Sequence, residues 1–280
     1  MWFLFLLISI FLSSATSIVQ KLALRDKRID STAFAIFYQV LTGLLLLGYA
    51  VYSGMSFNGF SAKMPSLLLA ISLYSIGDVL AFKVIQKMEM SDFTIVYQIN
   101  ALFAVIFSSI FLGESLNFVQ GLGFLFIFLG ILVTLYEHKI VIHKYHLLTC
   151  LTAAILALAF INDASIVKTL DVPTYLAFIF IMPGLVTLLF YPKGLKNLPV
   201  LLDKKHIIYL ILASVFVAFG AVLFFISYRI VSNAAQISSL GKLSTIIIVL
   251  FGIFFLGEKN RKVQKIIGSI VALVGVFLLI

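Results

Sequence analysis

Apolar runs of membrane length follow one another along the chain, separated by short polar connectors. WFLFLLISIFLSS opens it, LRDKRIDS comes next, and the alternation continues to the closing GSIVALVGVFLLI. A bilayer core about 30 Å thick is crossed by roughly 20 helical residues, and each run has about that length. The pattern predicts spans at 2–22, 33–53, 66–86, 93–113 and 117–136, then at 146–168, 174–191, 206–228, 234–256 and 262–280. So little chain is left between them that an all-α membrane protein of ten transmembrane helices is expected, with no room for a soluble domain.

The runs also repeat. SATSIVQKLAL at 14–24 matches NDASIVKTLDV at 162–172, so that Ser17, Ile18 and Val19 fall on Ser165, Ile166 and Val167. IFLGESLNFVQG at 110–121 matches FFLGEKNRKVQK at 254–265, which places Leu112, Gly113, Glu114, Val119 and Gln120 on Leu256, Gly257, Glu258, Val263 and Gln264. The offsets, 148 and 144 residues, are close to half the chain. Residues 1–140 and 145–280 therefore read as two copies of one five-helix unit. Because five is odd, the second copy enters the membrane from the opposite side, which gives an inverted repeat of the kind transporters use. The opening segment has the apolar core and small-residue exit of a signal peptide but no cationic start. Its match in the second copy makes it a retained first helix.

Two five-helix halves, each with Leu-Gly-Glu closing its fourth helix, resemble the EamA-type transporters of the drug/metabolite transporter superfamily over the whole chain. The resemblance implies a central cavity between the halves and alternating access to it. Many members place a proline early in the fourth helix of each half, whereas neither YQINALFAV nor SSLGKLSTI contains one.

Composition agrees with the apolar pattern: 62% of residues are hydrophobic and 11% charged, with a mean hydropathy of +1.18. The net charge of +9 is read as topology rather than nucleic-acid binding, since Lys and Arg collect in cytoplasmic loops. The connectors after spans 1, 3, 5, 7 and 9, with the span ends that border them, hold 15 of the 20 basic residues, and the even-numbered ones hold Lys63, Lys168 and Arg229. The count puts the odd connectors in the cytoplasm and both termini outside, opposite to the usual ten-helix relative. A multi-pass protein of the plasma membrane is expected, in contact with lipid. One cysteine, Cys150, rules out an intrachain disulfide and a Cys-based metal motif.

Charges inside spans carry the candidate chemistry, because a charged side chain at a helix centre costs about 2.5 to 3.5 kcal/mol. Measured by helical rise from the even-connector face, Asp163 in FINDASIVKTL lies about 7 Å deep, Lys242 about 12 Å and Asp78 about 18 Å. Lys83 is close enough to the other face to snorkel. Lys242 is expected to pair with one of the acids. Asp163 is the preferred partner, since the first-half counterparts are Ala15 and Gln98, both uncharged. Asn162, Tyr74, Gln39, Tyr38, Tyr97, Gln98, Asn100, Ser239 and Ser244 lie near the same level. This polar and aromatic lining suits small zwitterions or aromatic metabolites. Glu114 and Glu258 end helices four and nine, so an interfacial structural role is expected for them. Gly123 with Gly130, and Gly268 with Ala272 and Gly275, give helices five and ten a small-residue face for packing or a homodimer contact.

No nucleotide-binding fingerprint occurs, so energy is expected from a gradient, with Asp78 or Asp163 as a proton carrier and no cofactor. The histidines lie in or next to connectors, which argues against an intramembrane enzyme. The expected function is secondary transport, outward, of a small amino-acid-like or drug-like metabolite. A non-transporting membrane sensor or assembly partner is the alternative.

Overall fold

A computed structural model describes residues 2–112, 118–137, 139–140, 142–231, 240–258 and 260–279. The first half comprises α1 (Trp2–Leu24), α2 (Ser31–Tyr52), α3 (Met64–Lys87), α4 (Met90–Tyr97), α5 (Ile99–Leu112) and α6 (Phe118–Leu135). A two-residue ribbon pairs Tyr136–Glu137 with Lys139–Ile140. The second half comprises α7 (Lys144–Ile166), α8 (Val172–Phe190), a short 3-10 turn (Pro192–Asn197), α9 (Leu198–Leu201), α10 (Lys204–Val231), α11 (Ser244–Phe254) and α12 (Lys262–Leu278).

Among the described residues eight helical spans are long and apolar enough to cross a membrane, where the hydropathy pattern predicts ten. The difference lies in the last two. The expected ninth span is represented by the 11 residues of α11, since 232–239 fall outside the described residues. The tenth is the 17-residue α12, whose first turn carries Lys262 and Lys265. The fourth span departs in a second way, being two helices, α4 and α5, that meet at Gln98. Large apolar side chains such as Leu4, Phe11, Leu44, Leu68, Leu125, Phe128 and Phe219 stand exposed on the long helices. In water such a surface would drive association; in lipid it is the expected exterior.

Local chemistry sets the helix starts. Asp30 accepts from the backbone N–H of Thr32 and Ala33 at 2.8 and 2.9 Å, which caps α2. Asp171 does the same for α8 through Thr174, with Pro173 in the first turn. In the connector after α1, the Arg28 guanidinium 2.7 Å from Asp26 holds that carboxyl well below the usual carboxylate range.

The halves pack by exchange. α1 lies on α10 and α3 on α7; α2 lies on α8, α4 on α11 and α6 on α12. Exchanging each helix for its counterpart carries the first two contacts into each other and the last three into themselves. The seams that map onto themselves are close backbone approaches. A Cβ on Gly130 would come within 2.6 Å of Gly268 O and Ala272 N, and one on Gly275 within 2.6 Å of Gly123 O. The small-residue faces of helices five and ten are thus used within the chain. The exchange fails at one end: α2 and α1 both pack on α3, whereas among the described residues their counterparts α8 and α7 have no comparable contact with α10.

Candidate functional site

Asp78 and Asp163 are both half-buried, and a tyrosine stands between them. Tyr74 precedes Asp78 by one turn of α3, so its side chain leaves the same helix face and its hydroxyl donates to Asp163 Oδ2 at 2.6 Å. Tyr175, buried in the first turn of α8, donates to Asp163 Oδ1, also at 2.6 Å. Both oxygens of Asp163 therefore accept short hydrogen bonds, one from each half of the chain. Tyr175 did not stand out in the sequence, because an aromatic beside Pro173 and Thr174 looks like an ordinary helix start.

Asp78 has a different environment. Its Oδ2 accepts from Gln39 Nε2 at 2.6 Å. The other end of that amide, Gln39 Oε1, is buried without a hydrogen-bond partner among the described residues. A buried acceptor left unmet costs about 1–3 kcal/mol, and here it lies on the amide that binds a carboxylate. The hydroxyls of Tyr38, Tyr74 and Tyr97 lie within electrostatic reach of Asp78. Tyr38 stacks edge-on against Phe82, and Tyr97 stacks on Phe93, so aromatic faces wall the site.

The expected ion pair of Lys242 with Asp163 is not formed. Asp163 is occupied by the two tyrosines, and among the described residues no carboxylate lies within ion-pair distance of Lys242. Depth along a helix fixes only one coordinate of three, so lying within a few ångströms of the same level does not bring two side chains together. Lys242 instead occupies an interruption: residues 240–241 are helical, Lys242 and Leu243 form a turn, and α11 begins at Ser244. Thr245 N bonds to Lys242 O at 3.0 Å in the tighter i to i+3 pattern. The equivalent residue in the first half, Gln98, sits at the break between α4 and α5, where Ala101 N bonds to Gln98 O at 3.0 Å. Both crossing helices are thus broken at matching positions, and Gln98 Nε2 donates to the Thr245 hydroxyl across them. Broken helices at mid-membrane are where transporters of this general kind hold cargo.

The remaining expected lining residues divide. Asn100 Nδ2 donates to Ala153 O at 2.8 Å and Asn162 Nδ2 to Ser66 O at 2.9 Å, so both amides tie helices together. Ser244 is half-buried at the start of α11, and its carbonyl accepts from Ser14 Oγ at 3.5 Å. Lys83 is exposed, in keeping with snorkelling. Glu114 and Ser239 lie outside the described residues. Glu258, expected at the interface, is instead buried at 3% exposure, because its carboxylate is turned back onto backbone N–H groups of α4.

A profile of the EamA-like transporter family matches residues 1–136 and 143–280. The chain belongs to the EamA-like transporter family. It is thereby a multi-pass integral membrane protein of the drug/metabolite transporter superfamily, whose members are transporters rather than enzymes. No curated protein matches the sequence significantly. A solved crystal structure, 15% identical and matched over 96% of each chain, superposes with a TM-score of 0.61, which shows a shared fold. EamA membership gives the paired polar breaks at Gln98 and Lys242 a context, since the two matched segments are the repeats that carry them.

Proposed function

We propose that this protein is a secondary transporter of the plasma membrane that exports a small organic metabolite carrying both an ammonium and a carboxylate group. Its ten spans form two inverted five-helix halves that rock about a central site. The observation that carries the reading is the arrangement around Asp78. A carboxylate and an unmet amide acceptor, Gln39 Oε1, lie together beside aromatic rings, which is what an ammonium group needs. Lys242, without a carboxylate partner among the described residues, supplies the complementary charge for a carboxylate. Asp163, held by two hydroxyls, is the group through which a proton would be exchanged for cargo, because protonation turns one of its oxygens into a donor, displaces one tyrosine hydroxyl and loosens a link between the halves.

Liposomes containing the purified protein test the proposal. They are loaded in turn with zwitterionic amino acids and aromatic amines, and a pH gradient is imposed. Gradient-dependent movement of at least one zwitterion, lost in Asp78→Asn protein of equal abundance, is the expected result. If none of the solutes moves, or movement persists unchanged in the variant, the site assignment is overturned.

A further inference from the structure

We propose that Glu258 is the bolt of a gate. By capping the first turn of α4 from the opposite half, it holds shut the membrane face that carries Arg25, Glu89 and Gly257, and its release opens the site to that face. The proposal builds on the transport reading, but its test does not require a known cargo.

The Leu-Gly-Glu sequence produces the cap. Leu256 is buried, and Gly257 has φ +69°, a left-handed conformation that glycine adopts without the steric cost of a Cβ. The chain therefore reverses, and Glu258 folds back over Gly252, where an added Cβ would lie 2.7 Å from Oε2. Arg25, just after α1, donates to Leu256 O and fixes the turn from the other half.

The first N–H groups of a helix lack intrahelical partners and favour negative charge. The residue before α4, Glu89, makes no side-chain cap bond of its own. Glu258 does so in its place: Oε1 accepts from Met90 N at 2.6 Å, and Oε2 accepts from Ser91 N at 3.0 Å and from the Ser91 hydroxyl. Other charged contacts across the halves surround it. Lys265, fully buried, meets Glu89 and lies 3.6 Å from Asp92, and Arg261 donates to Asp92 at 2.9 Å. Lys21 reaches the carbonyls of Ile85 and Met88, which draws α1 onto α3 at the same face.

Such a seal differs from the other contacts between the halves. Buried charged pairs gain little net energy, since pairing roughly offsets desolvation, and each group can return to water when the face opens. The glycine seam of α6 and α12 has no such exchange available and would lose its packing if parted. The seam is thus suited to act as a pivot and the charged cluster as the part that yields. Water is already near: a cavity of about 270 Å³ lies outside the cluster, lined by Lys21, Arg25, Lys87, Glu89 and Glu258. Among the described residues, α10 makes no comparable contact with α7 or α8.

The test measures access. In a Cys150→Ser background, Thr94→Cys places a thiol one turn inside the capped residues, at a buried position. A charged, membrane-impermeant thiol reagent is added to the vesicle side marked by labelling of a separate Arg28→Cys protein. The parent is expected to label slowly from that side. Glu258→Gln should label about tenfold faster or more, the factor expected when bonds to a charged acceptor are weakened. Ser91→Ala should give a smaller rise, about threefold, for the loss of one bond. An unchanged rate in Glu258→Gln protein that retains the parent's helix content and melting overturns the proposal. If that variant does not accumulate, an unchanged rate in Ser91→Ala overturns it equally. Faster labelling in a protein that moves no solute would keep the gate and sink the transport reading.

Discussion

The hydroxyl of Tyr74 lies 2.6 Å from Oδ2 of Asp163, joining α3 of the first half to α7 of the second, and Tyr175 completes the arrangement from α8. Hydrogen bonds to a charged group are worth about 1.5–3 kcal/mol each. Tyr74→Phe and Tyr175→Phe should each lower stability within that range, and the double variant should lose more than the sum, because it leaves the carboxylate without a donor. Adding Asp163→Asn to the double variant should restore part of the loss. Thermal unfolding in one detergent checks all four; a double variant no worse than either single would remove the tyrosines from the account.

Asp78 and Gln39 make a second, separable unit. Gln39→Glu places a like charge against Asp78 and abolishes the bond from Nε2, so transport should fall at least tenfold, with abundance reduced as well. Gln39→Met removes the unmet buried acceptor but also the donor to Asp78, whose carboxylate loses its bond, so stability should fall by about 1–3 kcal/mol and cargo affinity should fall with it. Transport rates normalised to protein in the membrane, read beside melting temperatures, separate these outcomes.

Hydropathy and internal matches located most spans, and depth along a helix singled out Asp78 and Asp163, because burying charge in lipid is costly enough to leave a trace in one sequence. Partners were harder. Depth is one coordinate of three, and nothing in the sequence reports rotation about a helix axis, so Lys242 was assigned to Asp163 while Tyr175 went unnoticed. The break at Gln98 was invisible for another reason: no Gly or Pro marks it, and it is held by the tertiary bond to Thr245. Lys21 and Lys265 were counted as connector charges, yet both are buried on acceptors from other helices. The charge count that orients the protein therefore includes two cations that serve packing.

The glycine seam gives a prediction about pivot and periphery. Gly130→Ala and Gly275→Ala each force a methyl against backbone atoms at 2.6 Å, so each should cost about 1–3 kcal/mol as overpacking and reduce abundance. Gly48→Ala, near the C-terminal end of α2 with nothing within 4 Å of the new methyl, should stabilise by about 0.5–1 kcal/mol. Melting temperatures of the three variants suffice, and equal shifts in all three would refute the seam.

Lys242 supplies the last prediction. It is half-buried, interrupts a membrane helix just before α11, and has no carboxylate within ion-pair distance among the described residues. A half-buried cation with no carboxylate beside it is a cost to the fold, so removing it should not destabilise the protein. Lys242→Met, which keeps the length of the side chain, should melt at the parent's temperature or above it. Asp163→Asn should lower the melting temperature through loss of the charge that Tyr74 and Tyr175 bind. Because the two residues do not touch, the effects should add in the double variant to within about 0.5 kcal/mol. A static ion pair would behave differently, with each single substitution severe and the double one mild. Additivity in stability, together with loss of transport in Lys242→Met alone, would place the lysine with the cargo. Rescue of Asp163→Asn stability by Lys242→Met would instead show that the two meet in a state populated in solution, and the unpaired lysine would lose its assigned role.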